Sequence, residues 1–186
     1  MTKPIAIIAG EPNSISSEII FKSWKLRKKY MHKPFFVIGS FKVLNLQRKK
    51  LKFKIKIKKI NNDFKKAELM KSELPIYDIN FNQKQAYKKI SSKSNRYIFD
   101  CFNIALKFLR EKKINGLINC PIAKEFLFKN NHHGITEFLS NKVGTKGKEV
   151  MLIYNKKLSV SPITTHIPLS DVSKKISLAK IIKNIK

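Results

Sequence analysis

Four short stretches place chemically capable side chains just beyond runs that read as strands. They are Gly10-Glu11-Pro12-Asn13, Asn119-Cys120-Pro121 with Lys124, His132 through Glu137, and Thr164-Thr165-His166. An imidazole binds metals or moves protons near neutral pH, and an ammonium attracts anions. Each stretch also has an ordinary structural explanation. Glu11 sits where an acid would favour the start of the next helix, and Lys124 is one lysine among many. His132 and His133 share a polar loop with Asn130 and Asn131, and Thr136-Glu137 after Gly134 reads as a helix start. His166 stands out because it follows two hydroxyl residues at a strand end. By itself it cannot hold a catalytic zinc, which takes about three protein ligands.

The elements that must carry these residues follow from hydrophobic patterning. PIAIIAG (4 to 10) is an apolar run ending in glycine, as expected of a buried parallel strand feeding a turn. SSEIIFKSWKLRKK (16 to 29) spaces Ile19, Ile20 and Trp24 as a helix with Ser16 or Ser17 as cap, and KPFFVIGS (33 to 40) is the next strand. A helix over about 41 to 50 and an alternating strand over about 52 to 60 come next. Residues 61 to 82 give no clear pattern, with Asn61-Asn62-Asp63 and Pro75 marking loops. A long helical pattern is expected over 83 to 113, and GLINC (116 to 120) reads as a buried strand before a helix over about 122 to 130. EVMLIYN (149 to 155) and LSVSPIT (158 to 164), separated by Lys156-Lys157, predict a hairpin or two adjacent strands, with a last helix from Ser170 or Ser177. Strands alternating with helices imply an α/β fold with a largely parallel sheet, whose ligands sit beyond the strands' carboxyl ends. GxGxxG and P-loop signatures are absent.

The net charge of +28 raises nucleic acid as a partner, because lysines that neutralise phosphates release counterions. Of the 40 basic residues, however, only Arg27, Arg48, Arg96 and Arg110 are arginines, the residue that groove readers favour. Lysine, isoleucine and asparagine are over-used together, so the lysines read as solvated faces and nucleic acid as an unlikely partner. QRKKLKFKIKIKK (47 to 59) fits an edge strand with its lysines toward water. Cys101 and Cys120 form no CxxC pair and read as small buried hydrophobes in a reducing compartment. Without a bilayer-length apolar run or a signal segment, the expected location is cytoplasmic, with no membrane partner.

IAGEPNSISSEII, NCPIAKEFL, HHGITEFLS and MLIYNKKLSVSPITTHIPLSDV resemble successive motifs of the 4-hydroxythreonine-4-phosphate dehydrogenases of pyridoxal phosphate biosynthesis. They occur in the family's order over nearly the whole chain. The resemblance implies an isocitrate/isopropylmalate-dehydrogenase-like α/β fold, with residues 1–186 as its N-terminal part, and a homodimer. It implies NAD or NADP, and a divalent metal (zinc, magnesium or cobalt) held by three histidines. The implied substrate is a small phosphorylated hydroxy amino acid, 4-phosphooxy-L-threonine, oxidised at C3 and decarboxylated to 3-amino-2-oxopropyl phosphate. By the same resemblance His166 corresponds to the first metal-ligating histidine, Thr136 to a substrate-binding threonine, and Lys124 to the lysine of a Pro-Ile-Asn-Lys motif facing the anionic substrate.

Two departures bear on function. The family's Gly-His-Thr-Glu is here Gly134-Ile135-Thr136-Glu137, which removes a substrate-contacting histidine; His133 is the expected substitute. Ser14-Ile15-Ser16-Ser17 replaces a Gly-Ile-Gly-Pro loop, and serine takes positive φ less readily than glycine. The resemblance covers little more than half of the family's usual length. The other two metal histidines and most of the dinucleotide site belong to the remainder. The alternatives are a catalytically incomplete fragment of that family and a basic nucleic-acid-binding module.

Overall fold

The structure, a computed structural model, describes residues 3–30, 33–128, 134–165 and 167–185. It divides into two units, residues 1–132 and 133–186, each considered by itself.

The first unit is built on five strands: β1 (Ile5–Ile8), β2 (Phe35–Gly39), β3 (Ile57–Ile60), β4 (Leu74–Asp78) and β5 (Gly116–Asn119). All pair in parallel, in the order β3-β4-β2-β1-β5. The helices between them are α1 (Ser16–Tyr30), α2 (Phe41–Lys50), α3 (Lys66–Leu69) and α4 (Asn95–Arg110), and α5 (Lys124–Phe128) follows β5. The parallel-sheet α/β expectation is therefore met.

Strand pleating divides the core into two layers. Ile7, Ala9, Phe35, Val37 and Ile76 pack against Ile20, Phe21 and Trp24 of α1 and Leu44 of α2. Trp24 meets Phe35 edge-on with ring centroids 5.2 Å apart. On the opposite face α4 packs against β1 and β2. Its apolar stripe, Ile98, Cys101, Phe102, Ala105 and Phe108, is wholly buried. Phe108 lies in an aromatic cluster with Phe36, Phe64 and Tyr77, at 6.1, 5.6 and 5.2 Å.

Four elements differ from expectation. Helix α4 begins at Asn95 after a 3-10 turn at Ser92–Ser94, not near 83. Serines compete with helix through their own backbone bonds, and Ser94 Oγ indeed donates to Ser91 O. Only the last four residues of the alternating 52–60 run form a strand, because Leu51 and Lys52, the latter at φ +56°, close off α2. β3 is nonetheless an edge strand, as its lysine pattern implied. Lys58 and Lys59 pair there with Glu68 and Asp78. Strand β4, unread in the sequence because of Pro75, lies between β3 and β2. Leu74 N–H donates toward β3 and Ile79 N–H toward β2, so the proline nitrogen faces β2 one residue before that pairing begins at Ile76. Finally, β5 is partly exposed, since among the described residues it pairs only with β1.

The second unit contains α6 (Ile135–Val143), α7 (Leu169–Lys175) and α8 (Leu178–Ile185). α6 ends on Gly144 at φ +75°, where Thr145 N–H donates to Ser140 O, the left-handed stop that glycine permits. The expected hairpin over 149–164 reduces to a single antiparallel bridge, Ile153 with Val160. Among the described residues, no helix is long and apolar enough to cross a membrane.

Phe108→Ala should cost about 3–5 kcal/mol of unfolding free energy, because it empties a fully buried aromatic site; urea titration followed by Trp24 fluorescence measures this. Burial pushes the Cys120 thiol up to about 11 and that of Cys101 higher still. Both thiols therefore stay protonated at neutral pH. A thiol-specific reagent should label the native protein only slowly at pH 8, and rapidly once denaturant unfolds it.

Candidate functional site

Chain order reverses at β1: the chain leaves it for β2 on one side, and β5 arrives later on the other. Such a switch point opens a crevice beyond the carboxyl ends of the two strands. Here Gly10, at φ +70°, lies so close to the loop after β5 that a β-carbon would sit 2.4 Å from Pro121 O. That carbonyl accepts from Glu11 N–H at 2.9 Å and from Ser16 Oγ at 3.2 Å. The β1–α1 loop and the loop leading to Lys124 are thus joined through one backbone oxygen.

Glu11 is 1% exposed. Its Oε1 accepts from Asn13 N–H at 3.1 Å and its Oε2 from Ser94 Oγ at 2.6 Å. The carboxylate therefore ties the loop to the turn that starts α4 instead of capping α1. Asn13 Oδ1 accepts from Gln83 Nε2 at 3.0 Å and from Lys88 N–H at 2.8 Å. Gln47 Nε2 donates to Pro12 O and to Ala86 O. These buried amides hold residues 83–88 against the loop as an irregular strap. Sequence reasoning missed them. The available signal was Gln47 itself, a polar side chain at the helical spacing of the buried Val43 and Leu44. A small cavity bounded by Ala9, Glu11, Ser17, Gln47 and Tyr97 has room for about one water. A nucleotide-sized site needs roughly 300 Å³ or more.

Lys124 is the first residue of α5, exposed and three residues beyond Pro121. Thr136 is exposed in the first turn of α6. The Glu137 carboxylate folds back over Gly134, with Oε2 2.6 Å from where a β-carbon would stand. This fits the helix start read from the sequence, a carboxylate returning to the first turn. Lys124 and Thr136 belong to different units. His133 and His166 lie outside the described residues. Among the described residues, no group of three histidine, cysteine or acidic side chains could hold a metal. They therefore supply no ligand set for the divalent metal.

Gly10→Ala should destabilise the first unit by about 1–3 kcal/mol, because it adds left-handed strain to a clash with backbone oxygen. Gly116→Ala, where nothing lies within 4 Å of the added carbon, should change stability by less than about 1 kcal/mol. Thermal unfolding of the two variants side by side checks the contrast.

The family described as pyridoxal phosphate biosynthetic protein PdxA matches residues 31–186. A relative from Sulfurihydrogenibium sp. named 4-hydroxythreonine-4-phosphate dehydrogenase is 33% identical over 98% of this chain and 55% of its own length. One of the same name from Aquifex aeolicus is 33% identical over 100% of this chain and 57% of its own. An Oceanobacillus iheyensis relative, provisionally named a D-threonate 4-phosphate dehydrogenase, is 30% identical over 98% and 56%. The crystal structure of the Burkholderia phymatum 4-hydroxythreonine-4-phosphate dehydrogenase superposes with a TM-score of 0.86 at 22% identity, covering 100% of this chain and 56% of that one. The Klebsiella pneumoniae structure of the same name gives 0.81 at 23%, covering 99% and 57%. These superpositions show the fold, and the chain spans about half the length of the relatives it matches. With the family model covering most of its residues, the chain belongs to the PdxA family of pyridoxal phosphate biosynthetic proteins.

Proposed function

We propose that these residues form the amino-terminal part of a dehydrogenase acting on a small phosphorylated hydroxy acid, with 4-phosphooxy-L-threonine as the first candidate. The observation that carries this reading is alignment along 98% of the chain with relatives named for that activity. The reaction would oxidise the C3 hydroxyl with NAD or NADP and release CO2 from the resulting β-keto acid, leaving 3-amino-2-oxopropyl phosphate. Within this reading His166 is a ligand of a divalent metal (zinc, magnesium or cobalt). The Lys124 ammonium draws the anionic substrate, and the Thr136 hydroxyl holds it by hydrogen bond. His133 takes over the contact that Ile135, unable to donate or carry charge, does not make. The working assembly is a homodimer in the cytoplasm.

A second substrate, D-threonate 4-phosphate, is favoured by the name of the Oceanobacillus relative together with Ile135. It shares the phosphate and the hydroxy acid with the first but lacks its amino group. Formation of reduced nicotinamide by the native protein, followed by absorbance with each substrate, separates the two. In that assay His166→Ala should lower turnover and bound metal together, by about 100-fold or more in rate. His133→Ala should raise KM with little change in kcat. Unchanged turnover and metal content in the first variant, or an unchanged KM in the second, would remove that residue from its role.

A further inference from the structure

Positive charge without compensating acid gathers in one stretch of the chain. From Ile19 to Asn62 the sequence contains no acidic residue but thirteen lysines and two arginines. This stretch forms α1, β2, α2 and β3 of the first unit. All the strands run parallel, so the last turns of α1 and α2 and the segment entering β3 lie toward the strands' amino ends, opposite the crevice. Arg27, Lys28 and Lys29 close α1, and Arg48, Lys49 and Lys50 close α2. The two arginines are committed to the fold. Arg27 stacks on the Trp24 ring at 3.9 Å and donates to Trp24 O. Arg48 donates to Asn45 Oδ1 and to Phe53 O. Lysine ammoniums supply the rest of the charge. In the run Lys52-Phe53-Lys54-Ile55-Lys56 every lysine is exposed, while Ile55 is buried and Phe53 half-buried. Phe53 packs against Phe21 with ring centroids 5.4 Å apart and lies beneath Lys25 Nζ at 5.7 Å. Further along, Lys58 and Lys59 pair with Glu68 and Asp78. Lys52, Lys54 and Lys56 form no ion pair among the described residues.

We propose that this amino-end surface, centred on Lys52, Lys54 and Lys56, binds the phosphate backbone of single-stranded nucleic acid without regard to sequence. Alternate residues of extended chain stand about 7 Å apart, close to the separation of successive phosphates along one strand. Lys54 and Lys56 have this spacing, and Lys52, in the turn before them, adds a third ammonium. Base readers are missing from the surface. Its arginines are already bonded, and the Phe53 ring that could stack on a base is packed, so contact is with phosphate alone. Nucleic acid, set aside above on composition, returns here through placement, because a lysine point charge suits a contact that reads charge and not bases. An anionic membrane fits less well. An interfacial helix enters a bilayer with an apolar face, whereas the apolar faces of α1 and α2 are buried against the sheet. Of the exposed apolar residues along α1, Ile15 and Ile19 lie at the far end, which leaves Leu26. The inference rests on charge and placement, not on the dehydrogenase reading.

The test follows the fluorescence anisotropy of a labelled oligouridylate with the native protein over a series of salt concentrations. Binding at about 1–100 µM is expected at physiological salt, with log affinity falling against log salt by roughly 0.7 per phosphate neutralised. Lys52→Gln, Lys54→Gln and Lys56→Gln together should reduce that slope by about 2, and arginine at the same three positions should restore it. The same charge removed from the second unit, by Lys146→Gln, Lys148→Gln and Lys157→Gln, should leave the slope unchanged. Unaltered Trp24 fluorescence shows that each variant is folded. Absence of binding would overturn the proposal. So would equal loss from the two triple variants, which would mean net charge and no particular surface. Tighter binding to phosphatidylserine vesicles than to the oligouridylate would also overturn it, by assigning the lysines to lipid. None of these outcomes reads turnover, so the proposed activity stands or falls separately.

Discussion

The first unit hinges on a single acceptor, the carbonyl oxygen of Pro121. It takes the Glu11 N–H and the Ser16 hydroxyl at once, and it can do so only because Gly10 carries no side chain. A strand ending in a left-handed glycine is what lets the loop after β1 lie flat on the loop after β5. The starting point of α1, the burial of Glu11 and the position of Lys124 are all set by that approach.

Around this junction the polar groups are satisfied by one another in an unusually local way. A buried carboxylate is costly unless it is hydrogen-bonded, and Glu11 meets that condition with one backbone and one hydroxyl donor. The amides of Gln47 and Gln83 then fix a stretch of chain without regular structure. The result is a floor to the crevice in which side-chain carboxylate and amide groups bind backbone and hydroxyl partners. Lys124, exposed at the first position of α5, lies three residues beyond this junction.

Much of this was legible beforehand. PIAIIAG, KPFFVIGS and the 41–50 helix fell where expected, since strong local periodicity and tertiary packing agree there. β4 was hidden because Pro75 argues against a central strand until the register shows its nitrogen turned toward β2 before the ladder starts. The stretch 83–91 imitates a helix in its apolar spacing, and only long-range bonds from Asn13 and Gln47 reveal it as a strap. The candidate site was legible as motifs but not as a cluster. Thr136 was read as part of a helix start and lies in one, and Lys124 opens α5 about two residues inside the helix start expected near 122, while His133 and His166 lie outside the described residues. Of the 149–164 hairpin only the Ile153–Val160 bridge forms, an antiparallel pairing in the expected place but shorter than the apolar run.

The lysine pairs on β3 have a consequence for the molecule as a whole. Lys58 and Lys59 each find an acid, but 12 acidic residues cannot do this for 40 basic ones. Most of the surface is therefore a polycation held together by a neutral interior, and compaction works against its own self-repulsion. Screening shortens that repulsion to a reach of about 8 Å at physiological ionic strength, and dilution of the buffer lengthens it. Added salt therefore relieves the strain that this charge places on the packed layers.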